Sequence, residues 1–442
     1  MVFDGDGRSL LLMKNVFASF FIKGWSISVG LLMVPLTLTC LGTYQNGVWL
    51  TISSLLLWID QMDIGLGNGL RNKLTIHIAH NDIVEARKVV SSTFAMLFCI
   101  ILPVMAVLLA LLWYSDIYSF LNVDPLSIPD LHVALMSAVI LVCITFVMKC
   151  INNVYMGMQM PAVSNLIMTV GQTLSLVGTW LLLQMQNATF LNVVIMNTAA
   201  PLLVYFIAYP YTFRFRFPYL RPTLKDVDIS SALQLGNLGV RFFWLQIAGV
   251  VQFMTANILI SKFFTPEMVT PYQISYRYMS LVMVAFTVVC MPFWNATTDA
   301  FERGDLEWIE KANRKMNMIM LMIFACLCMM AILSPWVYEM WVGDKCVVPM
   351  GMTFMMAFYL FLLVVSLRYS CFLNGIGALR LQNYMTIMAV VFIPLAWFIS
   401  NETHNIMWFM AVMCFCNIPG IVVNIIQFNK ILKGKAVGIW RR

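Results

Sequence analysis

Apolar residues run along this chain in stretches of roughly twenty or more, long enough to cross hydrocarbon as helices, with short polar breaks between them. The stretches fall at 15–41, 44–68, 89–113, 132–152, 162–184 and 190–212. After a longer polar break they resume at 235–260, 272–296, 316–335, 349–371, 383–400 and 406–428. No alternation of period two competes with them, and a lipid interior admits only helices or closed barrels. The pattern predicts an all-α membrane protein of about twelve transmembrane helices in two six-helix lobes. The first lobe is expected over 1–232, including a basic linker, and the second over 233–442, including a basic tail.

Composition agrees. The chain is 61% hydrophobic and 11% charged, against about 25% charged residues in soluble domains. The first stretch is too long for the core of a signal peptide and no small-residue cleavage site follows it, so it is expected to stay as the first helix.

Charge sets the orientation. Lys23, Arg241 and Arg277 fall inside apolar stretches, and Lys262 and Lys345 fall on the odd-numbered side. Every other one of the 27 Lys and Arg residues lies on the side that holds both termini. The positive-inside rule makes that side cytoplasmic, with 71–88, 214–225 and the tail after Lys430 inside and 116–130 in the periplasm of a bacterial inner membrane. The net charge of +7 is mostly this orientation signal and implies no nucleic-acid partner.

The halves repeat. Leu41-Gly42 and Asn81-Asp82 are matched at the same separation by Phe264-Thr265 and Gly304-Asp305, and Gly157 and Asn165 by Gly375 and Asn383. In each half the second helix enters an amphipathic loop, Arg71 to Lys88 and Thr298 to Lys315. Both halves begin inside, so the repeat is parallel, and the substrate path is expected between them.

The candidate binding residues are the three cations within the stretches. A charge there costs several kcal/mol unless it is paired or hydrated. Lys23 in helix 1 and Arg241 in helix 7 lie toward the cytoplasm, and Arg277 in helix 8 toward the periplasm. Snorkelling to an interface is open to all three, and Lys23 could instead pair with Asp60 in helix 2. Apart from Asp60 and Asp63, near the inner end of helix 2, every carboxylate lies in a loop or at a helix end. A cavity richer in cations than in carboxylates selects an anion, and the planar fork of arginine suits phosphate.

Other chemistry is poorly represented. No Walker A sequence is present. Asp226-Val227-Asp228 has the form of a metal-binding DxD, but it sits in a basic loop and reads as a solvated segment. The eleven cysteines include no CxxC pair and read as small packing residues; His77 and His80 share a helical face without a ligand cluster around them. No metal site and no cofactor are expected. The 35 methionines suit either lipid-facing filler or an interior that repacks around apolar guests.

Several motifs carry a resemblance. Asp63-Ile-Gly-Leu-Gly-Asn-Gly-Leu-Arg-Asn-Lys-Leu74, Phe242-Phe-Trp-Leu-Gln-Ile-Ala-Gly249, Pro292-Phe-Trp-Asn-Ala296 and Asp305-Leu-Glu-Trp-Ile309 resemble those of Wzx-type polysaccharide flippases. These belong to the multidrug/oligosaccharidyl-lipid/polysaccharide (MOP) exporter superfamily, whose MATE-like fold has two six-helix lobes. Thr255-Ala-Asn257 departs from the pattern, because many relatives are expected to have an acidic residue where Ala256 stands. The resemblance implies a non-enzymatic flippase that moves an undecaprenyl-pyrophosphate-linked oligosaccharide, of the kind that builds O-antigen, from the inner to the outer leaflet. Lys23, Arg241 and Arg277 would contact the pyrophosphate, and Asp60 and Asp63 would couple transport to a proton or sodium ion. Membrane lipids are the remaining partner. The alternatives are a MATE-like multidrug exporter and a membrane-embedded polymerase or glycosyltransferase. A cationic drug calls for a deep carboxylate. A polymerase calls for a large outer loop with Arg or His, whereas the longest outer loop here, Tyr114 to His132, has only that terminal His.

Overall fold

The computed structural model describes residues 5–60, 66–228, 255–376, 378, 380–385 and 387–440. Arg241 and Asp63 lie outside these residues, as does the 242–249 motif, and Asp60 is described only as the last residue of a helix. The chain divides into two compact units, Met1–Gln246 and Ile247–Arg442.

The first unit contains α1 (Gly5–Asp60), α2 (Leu66–Ala79), α3 (Ile83–Tyr114), the short α4 (Ile117–Leu121), α5 (Leu131–Met148), α6 (Cys150–Gly157), α7 (Pro161–Gln184) and α8 (Phe190–Pro210). The second contains a helical stretch at 255–263, then α9 (Pro266–Glu302), α10 (Leu306–Val342), α11 (Met350–Gly375), α12 (Arg380–Met385), α13 (Ile387–Thr403) and α14 (Ile406–Leu432). Nine helices among the described residues are long and apolar enough to cross a membrane. The first of them carries two predicted spans, because α1 breaks at Gly42, where φ is +66°. A side chain is strained at that angle, so glycine there lets one helix end and the next begin without a loop.

Two expectations about the loops need correction. The segment after helix 2 is a helix, α2, rather than a loop. Leu66, Leu70 and Leu74 recur every fourth residue and are fully buried, while Arg71 stays exposed on another face. The basic linker, with its DxD sequence, is largely exposed as expected, with Leu224 at 91%, but it is also docked against α3. Beyond α8 the chain makes a π-helical turn over Tyr211–Arg216. It then runs along α3, where Thr223 N donates to Ser91 Oγ at 3.1 Å and Asp228 N to Ser92 Oγ at 2.8 Å. Asp226 lies 3.5 Å from Arg87 Nε and accepts from Thr223 Oγ1 at 2.5 Å. Leu220 and Phe213 are buried beneath this segment, and Phe213 meets Phe94 edge-on. Asp226 of the DxD is thus held by Thr223 and Arg87, and Asp228 is held through its backbone amide.

The repeat has a structural content. Asn81 and Gly304 both take left-handed backbone, with φ of 57° and 74°. The next residues, Asp82 and Asp305, each cap the following helix by accepting a backbone N–H, from Glu85 and Trp308. Asparagine and glycine are the residues that tolerate this angle, and aspartate is a preferred N-cap. Gly157 belongs to a different contact, the approach of α6 to α2. A Cβ there would lie 2.9 Å from Leu74 Cδ2 and 3.2 Å from the Arg71 carbonyl oxygen, and Thr75 Oγ1 already donates to the Gly157 carbonyl at 2.9 Å.

Thermal unfolding of purified protein in detergent checks these contacts. Gly157→Ala is expected to cost about 1–3 kcal/mol by overpacking. Asp305→Ala is expected to cost about 1 kcal/mol, and Asp305→Asn much less. A Gly157→Ala protein that melts with the wild type would mean that α2 yields at no cost.

Candidate functional site

In the first unit the candidate site forms on α1 where it packs along α7. Two side-chain bonds join the helices: Trp25 Nε1 donates to Thr173 Oγ1 at 3.0 Å, and Ser26 Oγ donates to Gln172 Oε1 at 2.6 Å. Between them and the helix surfaces runs an apolar groove of about 520 Å³, lined by Phe21, Ile22, Trp25, Val170, Leu174 and their neighbours. Ile22 and Trp25 bracket Lys23 in the chain, and Lys23 is exposed. Gly24 adds open space, since a Cβ there would meet nothing within 4 Å. Lys23 is not itself among the lining residues: on a helix it projects to a different face of α1 from Phe21, Ile22 and Trp25.

In the second unit Arg277 lies about three turns into α9 and is half-buried. One turn earlier on the same helix, Gln273 Nε2 donates to Asn257 Oδ1 at 2.7 Å. Asn257 is itself buried, as is Ala256 beside it. Tyr278, next to Arg277, donates to the Met330 carbonyl and meets Tyr338 edge-on at 5.4 Å. The polar side chains on and around this part of α9 are amides, phenols and one guanidinium. Lys23 belongs to the first unit and Arg277 to the second.

Two acids of the 114–132 loop serve its turns. Asp116 accepts from Ser119 N, and Asp124 accepts from Leu126 N and Ser127 Oγ. Tyr44 and Gln45, at the start of the second half of α1, bind the Asp124 amide and the Ser127 carbonyl. His77 lies 3.7 Å from Asp82, and His80 Nδ1 is 3.0 Å from the Ile76 carbonyl. Cys346 lies between α10 and α11, and burial pushes its thiol up to about 11, so it stays protonated near neutral pH.

One cation was misplaced by sequence reasoning. Arg368 counts as a loop residue by charge asymmetry, yet it is only 5% exposed and lies within α11. Its Nη2 donates to the backbone carbonyl of Asn313 at 3.2 Å and to the Asn313 Oδ1, and its guanidinium lies 4.8 Å from the centre of the Tyr369 ring. It therefore clamps α11 to α10. The signal was its position inside the apolar stretch 349–371.

No family model matches the chain, and no curated protein matches it. Solved structures do. An inward-facing multidrug resistance MATE family transporter of the MOP superfamily superposes with a TM-score of 0.77 at 14% identity, covering 93% of this chain and 96% of that one. An outward-facing structure of such a transporter gives 0.64 at 14% identity, covering 97% of each. A MATE in complex with MaD5 gives 0.65 at 14% identity, over 96% of this chain and 97% of that one. The chain is an all-helical, multi-pass membrane protein with the MATE fold, as the helical pattern and the resemblance led us to expect.

The clamp at Arg368 is checked by melting temperature. Arg368→Lys is expected to lose about 1.5–3 kcal/mol, the size of a hydrogen bond to a charged group, because an ammonium cannot hold both acceptors in the same plane. Asn313→Ala should cost a similar amount. If Arg368→Lys melts normally, the guanidinium is not what holds α11 to α10.

Proposed function

We propose that this protein is a flippase that carries an undecaprenyl-pyrophosphate-linked oligosaccharide from the inner to the outer leaflet of the bacterial inner membrane by ion-coupled alternating access. Its lobes would be 1–232 and 233–442, with both termini in the cytoplasm, and it would act as a transporter rather than an enzyme. The observation that carries the reading is the charge inventory of the spans. Besides Arg368, which is bound to Asn313, cations stand within the predicted stretches at Lys23, Arg241 and Arg277, whereas carboxylates are confined to loops, helix ends and the inner end of helix 2. Such an interior favours an oxyanion over a cationic drug.

The apolar groove between α1 and α7 supports the second half of the chemistry. A polyprenyl pyrophosphate has an anionic end and an apolar chain, and the physical task is to move the charged end while the chain stays in apolar surroundings. Lys23 would meet the headgroup near the cytoplasmic side. Arg241 would engage it in the inward-open state and Arg277 in the outward-open state. Asp60 and Asp63 would bind the proton or sodium ion. A multidrug exporter is the second reading, favoured by the names of the MATE transporters that share the fold.

Complementation of a flippase-null strain, normalised to membrane protein level, tests the headgroup contacts. Each lost charge-assisted contact is expected to cost about 1.5–3 kcal/mol of headgroup binding. Arg241→Ala and Arg277→Ala should therefore lose more function than the corresponding lysine variants. Full complementation by the double alanine variant would end this assignment. Coupling is tested in proteoliposomes: Asp60→Asn or Asp63→Asn should abolish gradient-dependent flipping. If both variants respond normally to the gradient, the ion binds elsewhere.

A further inference from the structure

Two of the eleven cysteines meet inside the second unit. Cys290 on α9 and Cys371 on α11 are 81 residues apart in sequence, yet Cys290 Sγ donates to Cys371 Sγ at 2.8 Å. Both are buried, at 1% and 3% exposure, in an apolar cluster that includes Phe286, Met316, Met320 and Val364. The cluster holds each thiol against the other. A disulfide has its sulfurs about 2.03–2.05 Å apart, so bond formation would shorten the separation of the two sulfurs by less than an ångström. The other close pairs in sequence lack this placement: Cys326 and Cys328, and Cys414 and Cys416, are two apart on one helix and project to different sides.

We infer that Cys290 and Cys371 form a modification site, a thiol pair that a small peroxide-class oxidant converts reversibly into a disulfide joining α9 to α11. In the first step one sulfur attacks a peroxide oxygen and the O–O bond breaks. This gives a sulfenic acid on that cysteine and releases one water. In the second step the other sulfur attacks the sulfenic sulfur, the S–O bond breaks, and a second water leaves with the remaining thiol proton. The two sulfurs together lose two electrons and the peroxide gains two. Hydrogen peroxide is small and uncharged, so it can enter the apolar cluster, and the adjacent thiol captures the sulfenic acid before further oxidation. A thiol-disulfide exchange with an external dithiol reverses the bond. The product holds α9 and α11 together covalently.

The experiment uses the full-length protein in detergent micelles, treated with hydrogen peroxide, unfolded in denaturant with a maleimide, and mapped by mass spectrometry without reduction. The expected product is a single cross-linked peptide pair containing Cys290 and Cys371, with the other cysteines still alkylated. Dithiothreitol should return both thiols to the alkylated pool. Cys290→Ser and Cys371→Ser proteins should each show no cross-link and all of their remaining cysteines alkylated. The proposal is overturned if both wild-type thiols stay alkylatable after peroxide. Sulfinic acid at either position, or a bond to any other cysteine, overturns it equally. Because the decisive measurement is made on the unsubstituted protein, a poorly folding serine variant would not obscure the result.

Discussion

A backbone amide or a charged side chain in hydrocarbon has no water to turn to, and it keeps a low energy only by finding a partner within the protein. For the backbone this leaves the helix, whose bonds are satisfied within each span. For side chains it drives charges to the ends of the helices, and there they take on work. Asp82 and Asp305 cap helices, Asp116 and Asp124 tie the outer turn, and Asp226 anchors the linker to Arg87. A charge that does remain within a span must be accounted for. Arg368 is accounted for by Asn313 and Tyr369, which satisfy it locally and make it a structural clamp.

The same constraint gives the remaining cations their interest. Lys23 is exposed on α1 rather than folded into the packed interior. Arg277 is half-buried on α9, among tyrosines and within a turn of the Gln273–Asn257 amide pair. The MATE fold is shared with transporters at 14% identity, and a fold at that distance hosts more than one substrate. In the proposed function, the charge pattern of the sequence is the argument for a lipid-linked anion over a cationic drug.

The helices were legible in the sequence because each is a local property: a run of apolar residues needs no knowledge of its neighbours to become a span in lipid. The boundary between the first two spans near Gly42 and the matched positions at Asn81-Asp82 and Gly304-Asp305 were visible in sequence, and the structure gives them their left-handed backbone and caps. Lys23 and Arg277 stood out because a charge in an apolar stretch is visible without coordinates. Tertiary structure decided what depends on a partner far along the chain. Arg368 meets Asn313, Cys290 meets Cys371, and the linker amides of Thr223 and Asp228 meet Ser91 and Ser92. None of these pairs leaves a periodic or compositional trace, because a single contact between distant segments is fixed by how helices pack and not by the order of residues within either one.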